Sequence, residues 1–215
     1  KILHHKGFEA YLVGGCVRDF LRGLEPKDWD VTTNAMPEEI QRVFPDSFYE
    51  NEYGTVGVKT RSETSSLAVV EVTPYRLEEK YSDARHPDKM EFAARLEDDL
   101  KRRDFTINAL AYDIAKKEVI DRFEGQKDLK DKRIRAVGDP NARFGEDGLR
   151  LMRAVRLAAE LGFDIEPATK NAITQNASLL RRISKERIRD EFEKLLLSPF
   201  PSRGLELARE LGLLQ

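Results

Sequence analysis

Hydrophobic positions change rhythm part-way along this chain. Up to about residue 137 they come in short apolar runs separated by glycine, proline or charged turns, and beyond Gly138 they recur at helical spacing. The first rhythm predicts strands at 10–13, 29–32, 55–60, 67–73 and 119–121. Helices are expected at 16–22, closed by Gly23, at 34–44, and from 96 to about 100. Pro37 with Glu38 and Glu39 behind it suits the first turn of the 34–44 helix. The polar stretch 61–66 suits a hairpin loop, and residues 1–7 suit the end of a helix whose beginning lies upstream, with Gly7 as its cap. The segment 102–111 fits two patterns. Phe105, Ile107, Ala109 and Ala111 alternate, yet Leu100, Ile107, Leu110 and Ala111 suit a helix, and a helix is the expectation here. One helical turn is expected at 126–130. Beyond Gly138 the expected helices run from Asp139-Pro140 to Phe144, then over 146–161, 167–177, 184–197 and 202–213. Gly162 would end the second, and Ser184 is a good N-cap for the fourth.

Composition narrows the class without naming a function. The 215 residues suffice for one large domain or two small ones, and 40% are hydrophobic, enough for a sizeable core. No apolar run approaches the roughly 18 residues of a membrane span. The single cysteine, Cys16, excludes an internal disulfide and fits a reducing compartment, so a cytoplasmic location is expected. The first residue is Lys1 rather than Met, so the natural start is expected to lie upstream. A net charge of −2 does not point to nucleic acid. Local basic clusters do more: Lys101–Arg103, the set Arg150, Arg153 and Arg156, and Arg181-Arg182 with Lys185, Arg187 and Arg189. Taken one by one, such clusters are ordinarily solvated helix faces.

Candidate chemistry gathers between residues 11 and 30. Tyr11-Leu12-Val13-Gly14-Gly15-Cys16-Val17-Arg18-Asp19 reads as strand, glycine turn and helix start, and Asp28-Trp29-Asp30 follows on the next strand. Side chains at i and i+2 of a strand share a face, so Asp28 and Asp30 can hold a divalent ion together. A glycine turn brings backbone N–H groups close to phosphate. Glu71 is the lone acid in Leu67-Ala68-Val69-Val70-Glu71-Val72. It either faces water from an edge strand or joins Asp28 and Asp30 as a third carboxylate. Further on, Asp147 and Arg150 stand three apart on an expected helix, with Arg153 and Arg156 continuing the spacing. A surface salt bridge accounts for that pattern. So does base recognition: cytosine and adenine both show an amino donor beside a ring-nitrogen acceptor, which a carboxylate and a guanidinium complement.

Four motifs together resemble the class II tRNA nucleotidyltransferase and bacterial poly(A) polymerase family. They are Leu12–Asp19, Asp28-Trp29-Asp30, Arg102-Arg103-Asp104-Phe105-Thr106-Ile107-Asn108-Ala109 and Arg143-Phe144-Gly145-Glu146-Asp147-Gly148-Leu149-Arg150. The resemblance implies an α+β chain: a polymerase-β-like head with a mainly antiparallel sheet over 1–137, an all-α neck over 138–197, and the start of a helical body over 198–215. It implies that Asp28 and Asp30 hold Mg²⁺, that Asp28, Asp30 and Glu71 are catalytic, and that Gly14, Gly15 and Arg18 hold the triphosphate. Arg103 would contact the nucleotide. Asp147 and Arg150 would read the base, with Arg153 and Arg156 supporting them. Residues 78–90 are charged with no clear period and read as a mobile loop, and within them Asp83-Ala84-Arg85-His86-Pro87 resembles the family's flexible loop, which would include Asp83 and Arg85. The implied partners are ATP, CTP and the 3′ end and acceptor stem of tRNA, with no membrane. Asn51-Glu52-Tyr53-Gly54-Thr55-Val56-Gly57-Val58 is similar to CCA-adding enzymes, which leaves full CCA addition or A-only addition open. Poly(A) polymerase and a non-catalytic RNA- or nucleotide-binding module are the alternatives.

Overall fold

The structure is a computed structural model that describes residues 1–50, 54–77 and 92–214. The expected loop at 78–90, with Asp83 and Arg85, lies outside the described residues. The described residues form two compact units. One holds the residues up to Arg103 together with Ile107–Gln126, and the other holds Asp104–Thr106 and the residues from Lys127 on.

The first unit is built on a seven-stranded sheet. In chain order it contains α1 (Ile2–His5), β1 (Ala10–Val13), α2 (Gly15–Leu21), β2 (Asp30–Thr33), α3 (Pro37–Val43), β3 (Ser47–Tyr49), β4 (Val56–Lys59), α4 (Ser65–Ala68), β5 (Val69–Pro74) and α5 (Leu96–Lys101). After a 3₁₀ turn, Thr106–Asn108, come β6 (Leu110–Asp113) and β7 (Glu118–Asp121). The strand order is β3-β4-β5-β2-β1-β6-β7. Every neighbouring pair is antiparallel except β2 and β5, which run parallel. The result is the mainly antiparallel α+β architecture expected. Local signals hold where expected: Pro37 opens α3, and the Glu39 carboxylate accepts the Met36 N–H at 2.8 Å. One core cluster joins Leu3, Ala35, Ile40, Val56, Val58 and Val72, and a second joins Val13, Tyr75, Leu96, Leu100 and Ala111. These side chains hold the strands in register and so fix which polar side chains meet.

Three expectations for this unit need correction. Residues 102–111 are not a helix: after the 3₁₀ turn the chain becomes β6, with Ala111 paired to Val13 on one side and Ile120 on the other. Phe105, Ile107 and Ala109 are fully buried, and long-range pairing overrides the helical spacing. β5 is not an edge strand, because it lies between β4 and β2. The three-residue strand β3 was not anticipated, being too short to display alternation.

The second unit is mainly helical. α6 (Gly125–Lys130) passes from the first unit into the second, and β8 (Arg133–Ile134), α7 (Pro140–Glu146), α8 (Leu149–Leu161), β9 (Asp164–Ile165) and α9 (Pro167–Asn176) follow. After a 3₁₀ stretch at Ala177–Arg182 come α10 (Lys185–Leu196) and α11 (Pro201–Glu210). β8 and β9 form a short parallel pair. α8 is central, packing on α10 and α11 and burying Leu151, Met152, Val155 and Leu157. Truncating one of these to alanine costs about 2–5 kcal/mol in a typical core. Gly162 ends α8 at φ 68°, as its position after the last apolar residue suggests. The expected 146–161 helix is in fact two: α7 stops at Glu146, and Asp147 adopts an extended conformation, φ −144° and ψ 106°, before α8 begins. Ser184 does occupy the N-cap of α10, but its hydroxyl makes no capping hydrogen bond.

Candidate active site

The turn from β1 into α2 sets the corner of the site. Gly14 sits at φ 77°, a backbone conformation that side chains disfavour. A Cβ there would lie 2.9 Å from Nη1 of Arg103 and 3.7 Å from Oδ2 of Asp30. The bare glycine is therefore what lets a guanidinium and a carboxylate approach the same turn. Gly14 also joins the sheet to the helix: its N–H donates to the Leu110 carbonyl at 3.2 Å, and its carbonyl accepts from the Arg18 N–H at 3.1 Å. Cys16, one residue into the turn of α2, is buried, and its thiol donates to the carbonyls of Val13 and Asp30. That thiol docks α2 onto β1 and β2, and burial pushes its pKa up, as for an inert structural cysteine.

Sheet register brings the acids together. Asp30 on β2 stands opposite Glu71 on β5, and Glu71 stands opposite Gly57 on β4. Asp28 precedes β2, is exposed, and lines a cleft of about 310 Å³ together with Trp29, Glu50 and Glu71. Gly57 matters here, because a Cβ on it would come within 2.9 Å of the Glu50 carboxylate and 2.6 Å of the Phe48 ring. Burial pushes the Asp30 carboxyl above its ordinary value. The Arg103 guanidinium opposes that shift, and the charge of Asp28 adds to it. The Glu71 carboxyl is likewise raised, first by loss of solvent and then by Asp30, Glu50 and Asp28, while Arg76 pulls it down. Crowded like charges of this kind are what a divalent cation relieves. Among the described residues, no three His, Cys, Asp or Glu side chains are gathered tightly enough to hold a metal on their own. Asp28 is near enough for its charge to raise the Asp30 carboxyl, and such a pair of carboxylates, completed by phosphate oxygens and water, is a donor set suited to a divalent cation.

The arginines are held by acids that the sequence did not single out. Asp99, fully buried on α5, accepts from Arg102 at 2.7 Å and from Arg103 at 3.0 Å. The Arg76 N–H and the Thr32 hydroxyl also donate to it, at 3.3 and 3.5 Å. Burial alone would push the Asp99 carboxyl up, but Arg103 and Arg102 outweigh it and hold the carboxyl below the ordinary aspartate range. The expected solvated cluster at 101–103 is thus in large part an ion-paired anchor. Its clue is in the sequence, since Asp99 stands three and four residues before the two arginines, which follow directly on the end of α5. Arg103 Nε is buried with no hydrogen-bond partner among the described residues, while Nη1 of the same guanidinium reaches the Gly14 turn. Arg18 is buried beside Gly15, holds Asp19 through two N–H bonds, and donates to Asn108 Oδ1 at 3.0 Å.

In the second unit the motif residues do not pair as their spacing suggests. Asp147 lies outside α8, so the three-residue spacing to Arg150 places no shared helix face between them. The Asp147 carboxylate instead accepts from Arg187 of α10 at 2.7 Å and from the Leu149 N–H at 3.0 Å. Arg150 donates to the Glu146 carboxylate and to the Arg143 carbonyl, the latter at 2.8 Å. Arg153 closes on Asp104 at 2.6 Å, and Arg156 on Glu191 at 2.9 Å. Glu191 is buried, and it also faces Arg153 at 3.6 Å. In sequence Arg187 stands only as one of a basic cluster and Glu191 not at all, because their partners lie 40 and 35 residues away.

With this geometry in place, comparison with known proteins is informative. Residues 10–135 match the family described as the Poly A polymerase head domain. The chain belongs to this family. Beyond the head-domain match, residues 162–215 match a family described as a probable RNA and SrmB-binding site of polymerase A. A CCA-adding enzyme of Geobacillus sp. (strain WCH70) is 47% identical over 212 residues, covering 98% of this chain and 51% of that protein. A CCA-adding enzyme of Ligilactobacillus salivarius (strain UCC118) is 50% identical over 205 residues, covering 95% and 49%. Among solved structures, the Bacillus stearothermophilus CCA-adding enzyme in complex with CTP superposes with a TM-score of 0.89 at 43% identity, covering 99% of this chain and 50% of that one. The Thermotoga maritima CCA-adding enzyme complexed with tRNA_CCA gives 0.79 at 26% identity, covering 99% and 49%. The chain spans about half the length of the curated relatives it matches. Nucleotidyltransferases of this family generally use divalent metals. Among the described residues, no helix is long and apolar enough to cross a membrane.

Proposed function

We propose that this chain is the catalytic portion of a tRNA nucleotidyltransferase that adds C and/or A to the tRNA 3′ end from CTP and ATP, without a nucleic-acid template. The observation that carries this is the corner itself: Asp30 and Arg103 converge on the bare turn at Gly14, and Glu71 pairs in register with Asp30. Relatives at 47–50% identity, all CCA-adding enzymes, support the same conclusion. The head would span 1–137, the neck 138–197, and the body would begin at 198. The site would work in the cytoplasm.

Asp28 and Asp30 would hold Mg²⁺. Mg²⁺ held there would supply charge that favours the deprotonated 3′-hydroxyl and the triphosphate; the 3′-oxygen forms the new bond to the α-phosphate as the bond to the departing pyrophosphate breaks. The protein does the rest. Gly14 and Gly15 keep the turn free of side chains, so phosphate oxygens can approach the backbone. Arg103, steadied by Asp99, brings its Nη1 to the Gly14 turn, where it can meet the triphosphate, and Arg18 stands beside Gly15. Glu71 raises the local negative potential and strengthens cation binding. In the second unit, Asp147 accepts from the amino group of cytosine or adenine, and Arg150 donates to the neighbouring ring nitrogen. Arg153 and Arg156 support α8 through Asp104 and Glu191.

The test is incubation with CTP, ATP or both, with Mg²⁺, on tRNAs ending before C, CC or CCA, with products sized on a gel. One to three added residues are expected. A long ladder of A would identify a poly(A) polymerase, and RNA binding without incorporation would identify a non-catalytic module.

A further inference from the structure

Asp147 belongs to neither of the helices that flank it. It sits in extended backbone between α7 and α8, and the next residue, Gly148, is wedged so closely that a Cβ there would meet the Leu179 carbonyl at 3.0 Å. Two donors fix the carboxylate. The Leu149 N–H holds Oδ1 at 3.0 Å, and Nη2 of Arg187 holds Oδ2 at 2.7 Å. The backbone donor would be there with almost any side chain at 149, so Arg187 is the donor that the sequence chooses. It reaches across from α10, 40 residues along the chain. The Asp147 side chain is only 19% exposed, while Arg187 is 36% exposed, so the pair stands at a partly open surface where a ligand can reach the acid.

We propose that Arg187 is a positioning residue for nucleotide choice: it locks the Asp147 carboxylate in the direction from which an oxygen accepts a base amino group. This rests on the assignment of Asp147 as a base-reading acceptor. An acceptor that discriminates between an amino group and a carbonyl must be held in place, because a displacement of about 1 Å removes most of the benefit of a directed contact. A carboxylate held at one oxygen by the backbone alone can swing about its Cβ–Cγ bond, where preferences are broad. The guanidinium removes that freedom while leaving lone pairs on both oxygens for a ligand. A plain staple between α10 and the α7–α8 junction would act differently. Its loss would lower stability and weaken every nucleotide alike.

The experiment measures equilibrium binding of CTP, ATP, UTP and GTP to the full chain, for the native protein, Arg187→Met, Arg187→Lys and Asp147→Asn, with thermal melting in parallel. Methionine keeps the apolar stem without the donors, and lysine restores a charge without the fork. The native chain is expected to prefer CTP over UTP and ATP over GTP. Arg187→Met is expected to shrink those ratios about tenfold, the scale of one directed base contact. Arg187→Lys should recover part of the loss. Arg187→Met added to Asp147→Asn should change the ratios no further, because the two act through one contact. Unchanged ratios in Arg187→Met, whether or not its melting temperature falls, would overturn the proposal and leave the base-reading assignment standing. A native chain that binds all four nucleotides equally would overturn that assignment and this proposal together.

Discussion

The carboxylate corner of the first unit and the arginine helix of the second place their key side chains by opposite means. At the corner, backbone does the positioning. Strand register sets Asp30 opposite Glu71, and a positive-φ glycine admits Arg103 and Asp30 to the same turn. Around α8, side chains position one another. Asp104 and Glu191 hold Arg153 and Arg156, and Arg187 holds Asp147, each partner coming from a different part of the chain. Backbone-built geometry leaves a local trace in sequence, as glycines and two-residue spacings. Ion-pair geometry leaves none unless both partners share a helix.

Five substitutions, in four tests, sharpen or break this contrast. The largest effect is expected at the corner: Asp30→Asn or Asp28→Asn should reduce nucleotide incorporation by on the order of 10³-fold, with melting nearly unchanged. Turnover near the native level in both variants would mean that register alone does not make the site. Next is Asp99→Asn, which leaves Arg102 and Arg103 facing a neutral amide in a buried setting. A loss of about 3 kcal/mol is expected at neutral pH by urea unfolding. The sign of its pH dependence follows from the lowered carboxyl of Asp99. The stabilisation is complete above the ordinary aspartate value of 3.8 and is lost as pH falls from there through the lower folded value. The gap between native protein and variant should therefore close only in strong acid, and a gap independent of pH would contradict the ion-pair account. Third is Glu191→Ala in the second unit. Arg156 keeps Glu160 and Arg153 keeps Asp104, so a loss of about 2 kcal/mol is expected, below that for an isolated buried pair. The smallest is Gly14→Ala, at about 1–2 kcal/mol for φ 77° with ψ −138°, a region that is essentially glycine-only. Affinity for a nucleoside triphosphate should fall as well, since the methyl would displace the Arg103 guanidinium, and a variant with native affinity would show that the bare turn is dispensable.

The same contrast explains how far the sequence could be read. Val13-Gly14-Gly15 announces a turn, which is present; Asp28-Trp29-Asp30 reads as one strand, but β2 begins at Asp30 and Asp28 lies in the bend before it, so strand alternation does not set the two acids on one face. Glu71 was left between an edge strand and a third acid, because which strands neighbour β5 depends on tertiary pairing. β5 is interior to the sheet, which removes the edge strand, yet Glu71 itself is exposed on the sheet face, opposite Asp30 in register. The stretch 102–111 was misjudged for a related reason: its residues are buried on every side, so neither the helical nor the strand period is clean. Asp147 and Arg150 were read as helix neighbours, since the sequence shows three-residue spacing but does not show that Asp147 is extended. Asp99 was legible in principle, three and four residues before two arginines, but Leu96-Glu97-Asp98-Asp99 reads as an ordinary acidic helix start.

The central claim is that Asp28 and Asp30, beside the Gly14 turn, hold the metal that serves a bound nucleotide. Its most direct test is a titration of Mn²⁺, as a spectroscopic stand-in for Mg²⁺, into the chain saturated with a non-reactive CTP analogue. Specific Mn²⁺ binding is expected in the native chain, and it should be lost in both Asp28→Asn and Asp30→Asn while each variant stays folded. Equal Mn²⁺ binding in the native chain and both variants would contradict the claim.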